Sequence, residues 1–284
     1  MMHQSLQGRL AWVVEAARGD DPWRSVLEQT GLELRRFAEL EAMWSALSSS
    51  SPAALLVGEE HLTGPKGVEN FFEELDRRRR ERFAVLPVVA ELDEGFRRRL
   101  FRAGADDYLV APPIAAEVRA RVAAHMHASE RAATGEKSRR PPPIPLPHKT
   151  ASIDADLSVL VCDDEAMIHR VLRAAFERKG WEVSEALDGS EALELLDEAS
   201  FDLVVFDLSL PFKNGFELLE TLADRHGSDR PWRVVLSAER QHESVLRAFE
   251  LGADEVVEKP VDPEVLVARI ERLLRLGRAG GSHG

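Results

Sequence analysis

The chain is poor in the residues that would mark several classes of protein. Among its 284 residues there is one cysteine, Cys162, which excludes an internal disulfide or a multi-cysteine metal site and fits a reducing cytoplasm. No apolar run reaches the roughly 18–20 residues of a membrane span, and the N-terminus has no signal-peptide apolar segment. Positive charge is also short. The formal net charge is −13, whereas generic nucleic-acid binding requires a basic face. The expectation is therefore a cytoplasmic protein with no membrane and no nucleic acid among its partners. The imbalance is uneven: residues 157–284 hold 15 Lys+Arg against 26 Asp+Glu, and residues 1–128 hold 17 against 20. A hydrophobic share of 44% is ordinary for a core-former, and the length suits two domains.

The most informative stretch is 201–219, FDLVVFDLSLPFKNGFELL. Leu203, Val204, Val205 and Phe206 are too short a run for a helix and are β-branched or aromatic enough for a buried parallel strand. The run ends on Asp207, a loop with Pro211, Asn214 and Gly215 follows, and helical spacing begins at Phe216. An acid at the C-terminal end of a central strand lies where open α/β sheets place their chemistry.

Around it the second half alternates strand and helix. Strand candidates are 158–162, 181–185, 202–207, 232–237 and 255–258, each followed by an apolar helical pattern, with Gly180 stopping the first helix. Such βα units imply a parallel sheet with right-handed crossovers and helices on both faces. The expected strand order is 2-1-3-4-5, with the site at the switch between strands 1 and 3. The first half repeats the plan. Gly104-Ala105-Asp106 aligns with Gly252-Ala253-Asp254, and Pro112 with Pro260, at an offset of 148 that also aligns Trp12-Val13-Val14 with Leu160-Val161-Cys162. A repeat this long means a duplicated domain, since solenoid periods run only ~20–50 residues. The fold class is thus α/β: two flavodoxin-like (βα)5 domains, 1–128 and 157–276, joined by a proline-rich segment at 129–156 and followed by a tail at 277–284. Pro141, Pro142, Pro143, Pro145 and Pro147 favour polyproline II, in which seven residues span ~20 Å as a semi-rigid spacer. The alternative is a proline-rich ligand for another domain.

Strand 1 of the second half ends in Asp163-Asp164, strand 4 in Ser237 and strand 5 in Lys259. With strands 1 and 3 adjacent, Asp163, Asp164 and Asp207 converge. Two carboxylates ~5 Å apart repel by about 3 kcal/mol at an effective dielectric of 20, so three together call for a cation or a proton. Hard oxygen ligands with several retained waters suit Mg²⁺. Asp207 is placed to act as a nucleophile that takes a phosphoryl group, with Ser237 and Lys259 holding the oxygens that the metal leaves. Pro260 permits a cis peptide that turns the Lys259 amine inward. The plain alternative is that these acids only cap helices.

Asp163-Asp164, Asp207 with the following LSLPFKNG, Ser237-Ala238 and Lys259-Pro260 resemble the receiver domain of two-component response regulators, over about 157–276. The resemblance implies phosphorylation of Asp207 by a histidine kinase. It also implies Mg²⁺ on Asp164, Asp207 and the Ser209 backbone carbonyl, with Asp163 assisting through water. It implies a chain that catalyses only its own phosphotransfer and dephosphorylation. Output would pass to a downstream protein through the fourth helix, fifth strand and fifth helix (about 240–276) or through the first domain; homodimerisation stays open. No DNA-binding, cyclase or kinase motif stands elsewhere in the sequence, so no separate output domain is expected. The family's inward-swinging aromatic, three residues before the lysine, is replaced by Val256. The commoner Thr is replaced by Ser237.

At the repeat offset the first half loses these groups. Asp163-Asp164 become Glu15-Ala16, Asp207 falls at Gly58 or Glu59, Ser237 at Ala90 and Lys259 at Ala111. A degenerate pseudo-receiver is expected, with Glu59 or Glu60 as a conceivable built-in charge mimic and Tyr108 where the family aromatic would stand. Arg77–Arg80 and Arg97–Arg99 read as solvated helix faces, or as patches for an acidic partner. The histidines, His125 and His127 included, lack metal spacing and read as surface residues; the tryptophans read as core. Two rivals remain. A haloacid-dehalogenase-like phosphatase wants a second Asp two residues after the nucleophile, where this chain has Ser209. A scaffold would bridge signalling partners without being phosphorylated.

Overall fold

A computed structural model describes residues 9–14, 26–64, 66–78, 83–90, 94–133, 157–223, 230–238 and 242–276. The chain divides into two compact units, Met1–His127 and Ala128–Gly284. The first contains β1 (Leu10–Val14), β2 (Glu33–Phe37), α1 (Leu40–Leu47), β3 (Ala54–Gly58), α2 (Gly67–Arg78), β4 (Ala84–Val89), α3 (Glu94–Ala103) and β5 (Leu109–Val110). Helix α4 (Ala115–Ala133) follows. The second contains β6 (Ser158–Cys162), α5 (Ala166–Glu177), β7 (Glu182–Ala186), α6 (Gly189–Glu198), β8 (Leu203–Asp207) and α7 (Gly215–Ala223). It closes with β9 (Trp232–Ser237), α8 (His242–Glu250), β10 (Glu255–Glu258) and α9 (Pro263–Leu276).

Both sheets are parallel. Their orders are β2-β1-β3-β4-β5 and β7-β6-β8-β9-β10, each reading 2-1-3-4-5 as the repeat requires. Central strands such as β6 and β8 are apolar on both faces because helices cover both. Val159, Val161, Val205, Leu236 and Val257 pack with Leu172, Phe176, Leu266 and Ile270 of α5 and α9. Trp181 falls just ahead of β7 rather than within it, where it packs on Phe176 with ring centroids 5.2 Å apart. Trp12, Trp44 and Trp181 are buried.

The duplicated Gly-Ala-Asp motif has a structural cause in each copy. Gly104 (φ 129°) and Gly252 (φ 93°) turn the chain out of a helix through the region that favours glycine. The next acid then binds the start of the fourth strand. Asp106 Oδ2 accepts from Val85 N at 2.7 Å, and Asp254 Oδ2 accepts from Arg233 N at 3.0 Å. A buried ion pair is duplicated too: Arg121–Asp107 at 2.6 Å and Arg269–Glu255 at 2.5 Å. Both Ala111–Pro112 and Lys259–Pro260 are cis.

Helix α4 runs to Ala133, into the segment predicted as linker from 129. The apolar stripe stops there, but Ala, Glu and Arg sustain a helix on propensity alone. The prolines at 141–147 lie outside the described residues, as does the 277–284 tail. Among the described residues no helix is long and apolar enough to cross a membrane.

Candidate phosphoacceptor site

Strands β6, β8, β9 and β10 each deliver one predicted group to the same sheet edge. Asp207 pairs with Leu236 in register, and Ser237 pairs with Glu258, so Ser237 and Lys259 end their strands beside the acid. Asp163 and Asp164 follow β6 directly. One carboxylate oxygen from each of Asp163, Asp164 and Asp207 lies within 4.8 Å of the others. Lys259 Nζ stands 2.6 Å from Asp207 Oδ2 and 2.8 Å from Asp163 Oδ2. Asp163, Asp207 and Ser237 are buried and Asp164 is exposed, leaving an opening on one side.

The loops are shaped by the residues that made them look like loops. Ser209 N donates to Asp207 Oδ1 at 3.1 Å, turning the chain away from the strand. Asn214 caps α7 by accepting from the N–H groups of Phe216 and Glu217, both at 3.0 Å, while Glu217 accepts from Asn214 N. Gly215 lets the helix start lie on the backbone of Asp207 and Leu208. Asp188 caps α6 by accepting from the N–H groups of Ser190 and Glu191, while Glu191 accepts from Leu187 N, one residue ahead of the cap. Phe212, with φ 62° and 88% exposed, stands out on the loop after the acid.

Charge in the site is unbalanced. Burial pushes the Asp163 carboxyl above the usual range, against the pull of Lys259 and the Glu165 N–H. For Lys259 burial works to lower the ammonium, but hydrogen bonding to Asp163 and Asp207 outweighs it and the group is held charged. One lysine among three carboxylates leaves net negative charge at a buried edge. The donor set is all oxygen, and the fully buried Asp163 Oδ2 has the Lys259 ammonium at 2.8 Å, a cation it shares with Asp207. That is the chemistry of a hard divalent cation, so the residues fit Mg²⁺.

Two residues here were not singled out by sequence. Glu165 Oε1 lies 3.4 Å from Lys259 Nζ, but it is exposed and its share of the ammonium is small. His169, grouped with the surface histidines, is instead buried, as is His125. Helical phase puts His169 on the inner face of α5, three residues before Leu172; that spacing was a signal available in the sequence. Its Nε2 lies 2.5 Å from the Asp163 carbonyl oxygen, and its Nδ1 faces Glu185 Oε1 at 3.7 Å. His125 stands 3.9 Å from buried Asp107. Cys162 is a buried strand residue whose thiol is pushed up, first by burial.

Glu185 also pairs with Arg173, at 2.5 Å between Oε2 and Nη2. Hydrogen bonding to Arg173 holds the Glu185 carboxyl below its ordinary value of 4.5. A depressed folded-state pKa contributes stability above the unfolded value and loses it as pH falls through the folded one. Glu185→Gln is therefore expected to cost at most about 1 kcal/mol, for a partly exposed pair, at pH 6–8. The difference from wild type should close below about pH 4.5, as followed by urea unfolding at each pH.

In the first unit, register fixes what the offset left open. Val14 pairs with Val57 as Cys162 pairs with Phe206, so Gly58 stands at the Asp207 position. Gly58 pairs with Val88 as Asp207 pairs with Leu236, so Val89, rather than Ala90, replaces Ser237. The strand pairing carries no insertion there, and the one-residue shift needed for Ala90 is absent. Ala111 takes the Lys259 position. Glu15-Ala16, the predicted counterparts of the acid pair, lie outside the described residues. Two glutamates fill the edge. Glu59 Oε2 accepts from Ala90 N at 2.7 Å, and the Glu60 carboxylate lies 2.5 Å from where a Cβ on Gly58 would be. Tyr108 is buried against Phe101, with ring centroids 6.1 Å apart. The exposed Arg77 pairs with Glu73 and Glu74 on its own helix, as on a solvated face.

Residues 159–271 match the response regulator receiver domain family. This segment is a receiver domain. It is 33% identical over 120 residues to the transcriptional regulatory protein ResD of Bacillus subtilis, covering 42% of this chain and 49% of ResD. It is 39% identical over 119 residues to the response regulator RR06 of Streptococcus pneumoniae, covering 42% of this chain and 54% of RR06. The chain thus spans about half the length of these curated relatives. Among solved structures, CheY4 of Vibrio cholerae is 28% identical with a TM-score of 0.40, covering 42% of this chain and 99% of CheY4. DrrB, a Thermotoga maritima OmpR/PhoB homolog, is 34% identical with a TM-score of 0.39, covering 42% of this chain and 52% of DrrB. The N-terminal unit adds a second sheet of the receiver order, and two parallel-sheet domains fit tandem receivers.

Proposed function

We propose that the chain is a cytoplasmic response regulator that accepts a phosphoryl group on Asp207 from a histidine kinase and signals through protein contacts. The observation that carries this reading is the Lys259 ammonium, 2.6 Å from Asp207 and 2.8 Å from Asp163, beside the exposed Asp164. An Asp207 carboxylate oxygen attacks phosphorus, the P–N bond to the kinase histidine breaks as the P–O bond forms, and the imidazole leaves with the electron pair and takes up a proton. Lys259 and the Ser237 hydroxyl hold two of the phosphoryl oxygens. Mg²⁺, held by Asp164, Asp207 and the Ser209 carbonyl with Asp163 through water, would supply positive charge to the remaining one. The only catalysis on this reading is transfer to, and hydrolysis from, Asp207 itself.

The acyl phosphate adds about 1.5–2 negative charges. Lys259 then moves from bridging two acids to serving one phosphoryl group, and its strand β10 carries the change to α8 and α9. Moving that face from 1:99 to 99:1 requires ~5.5 kcal/mol of differential stabilisation, within reach of several charge-assisted hydrogen bonds at a buried edge. The buried Val256 replaces the family's aromatic reporter, so packing of α8 against β10 carries the signal.

The N-terminal unit, on this reading, is a degenerate receiver. Gly58 offers no acceptor, Ala111 no cation, and Glu59 and Glu60 occupy the edge. It supplies a fixed binding surface. A scaffold that is never phosphorylated is the competing reading; identical partner binding by wild type and Asp207→Ala would favour it. The direct test is titration with beryllofluoride and Mg²⁺. Amides of the second unit should shift on binding, the N-terminal unit should not respond, and Asp207→Asn should abolish the response. A wild type that ignores beryllofluoride would overturn the proposal.

A further inference from the structure

We infer that His169 is a positioning residue that fixes the Asp163–Asp164 turn in the orientation a divalent cation needs, an inference that rests on the metal site proposed above. The acid turn must be held in place, because burial disfavours the Asp163 carboxylate and Asp207 repels it, against the pull of Lys259 and the Glu165 N–H. Four contacts hold it. Asp163 N donates to Ala186 O at 3.2 Å, Asp163 Oδ1 accepts from Glu165 N at 2.9 Å, and Lys259 stands at Oδ2. The fourth is the ring of His169, whose Nε2 is 2.5 Å from the carbonyl oxygen. That carbonyl belongs to the peptide leading into Asp164, whose exposed carboxylate has no backbone clamp of comparable reach among the described contacts. Orientation of this one peptide plane therefore sets where the Asp164 carboxylate points.

The ring is held by its burial on the inner face of α5 and by the Nε2 contact. On the other side Nδ1 lies 3.7 Å from Glu185 Oε1, beyond hydrogen-bond reach, and Glu185 is instead bound to Arg173. The chain of contacts runs His169, Asp163 carbonyl, Asp164. Such outer partners orient metal ligands, and their loss costs 10–100-fold in affinity. An apolar residue at 169 would fill the same core space and leave the carbonyl without its donor. No step requires His169 to change charge; its task is geometric.

The test is calorimetric titration of the full chain with MgCl₂, without a phosphodonor. His169→Phe, which keeps the volume and removes the donor, is expected to weaken Mg²⁺ binding about 10-fold. His169→Gln, which can return an N–H toward the same carbonyl, should restore affinity to within about 3-fold of wild type. A role confined to packing predicts the reverse: both variants lose stability in EDTA and neither changes Mg²⁺ affinity. His169→Met keeps the test open should His169→Phe fail to fold. It too removes the donor, so Mg²⁺ is expected to weaken about 10-fold, and unchanged affinity would overturn the inference. A wild type that binds no Mg²⁺ would instead refute the proposed metal site itself. Wild-type binding with a His169→Phe variant inside 2-fold, or with no rescue by Gln, would overturn the positioning role alone.

Discussion

Replacing Arg269 by Ala is expected to destabilise the receiver unit by about 3–5 kcal/mol, among the largest losses that one substitution can cause here. Arg269 and Glu255 are 3% and 2% exposed, and their pair spans β10 and α9 at 2.5 Å. Arg269 also donates to the Val256 carbonyl at 3.2 Å. Truncation leaves a carboxylate buried without its cation and a carbonyl without its donor, and those desolvation penalties make up most of the loss. Replacing both partners by apolar residues of similar volume, Arg269→Met with Glu255→Leu, is expected to return stability to within about 1–2 kcal/mol of wild type. Amide exchange at Val234–Leu236 in β9 reads the opening free energy of this unit in the intact chain. Equal losses from the single and the double replacement would contradict the ion-pair account.

Gly215→Ala is expected to damage both fold and site. A Cβ there would fall inside van der Waals contact with the Asp207 carbonyl oxygen and 2.7 Å from Leu208 Cα. Both are backbone atoms, so neither can swing aside as the end of a side chain can. Relief requires α7 to lift or the Asp207 loop to move, at about 2–3 kcal/mol for overpacking. Because Asp207 must stay within hydrogen-bonding reach of Lys259, at 2.6 Å, a shift of ~1 Å would slow acetyl phosphate labelling about 100-fold. Gly31→Ala is the contrast: at φ 77° with no atom near its Cβ position, it strains the backbone without touching any site residue. Labelling of Gly215→Ala at the wild-type rate would show that the loop tolerates displacement.

Most of the second unit was legible because its strands are buried on both faces. Leu203–Phe206 and Val159–Cys162 carry unbroken apolar runs that end on acids, so the strand ends and the site residues were marked by the same boundary. The fixed offset of 148 was legible for a physical reason as well. Gly252 and Asp254 are constrained by a turn and a strand cap, and the first unit needs the same two devices at Gly104 and Asp106. What could not be read was what a buried polar side chain meets. Helical spacing turned His169 inward, but nothing in the sequence marked the Asp163 carbonyl as the group its ring would reach. The choice between Gly58 and Glu59 stayed open for a related reason. Strand β3 lies one residue out of phase with the offset that relates β1 and β4 to their counterparts, and only its pairing with Val14 and Val88 selects Gly58. Helix α4 outran its apolar stripe because propensity leaves no periodic mark.

The measurement that bears most directly on the receiver chemistry is intact-mass and peptide-level mass spectrometry of the full chain after incubation with acetyl phosphate and Mg²⁺. The expected result is a single base- and hydroxylamine-labile phosphoryl adduct on the peptide containing Asp207, absent without Mg²⁺, absent in Asp207→Asn, and never found in the first unit. An unmodified wild type would contradict the account, as would an adduct that survives Asp207→Asn.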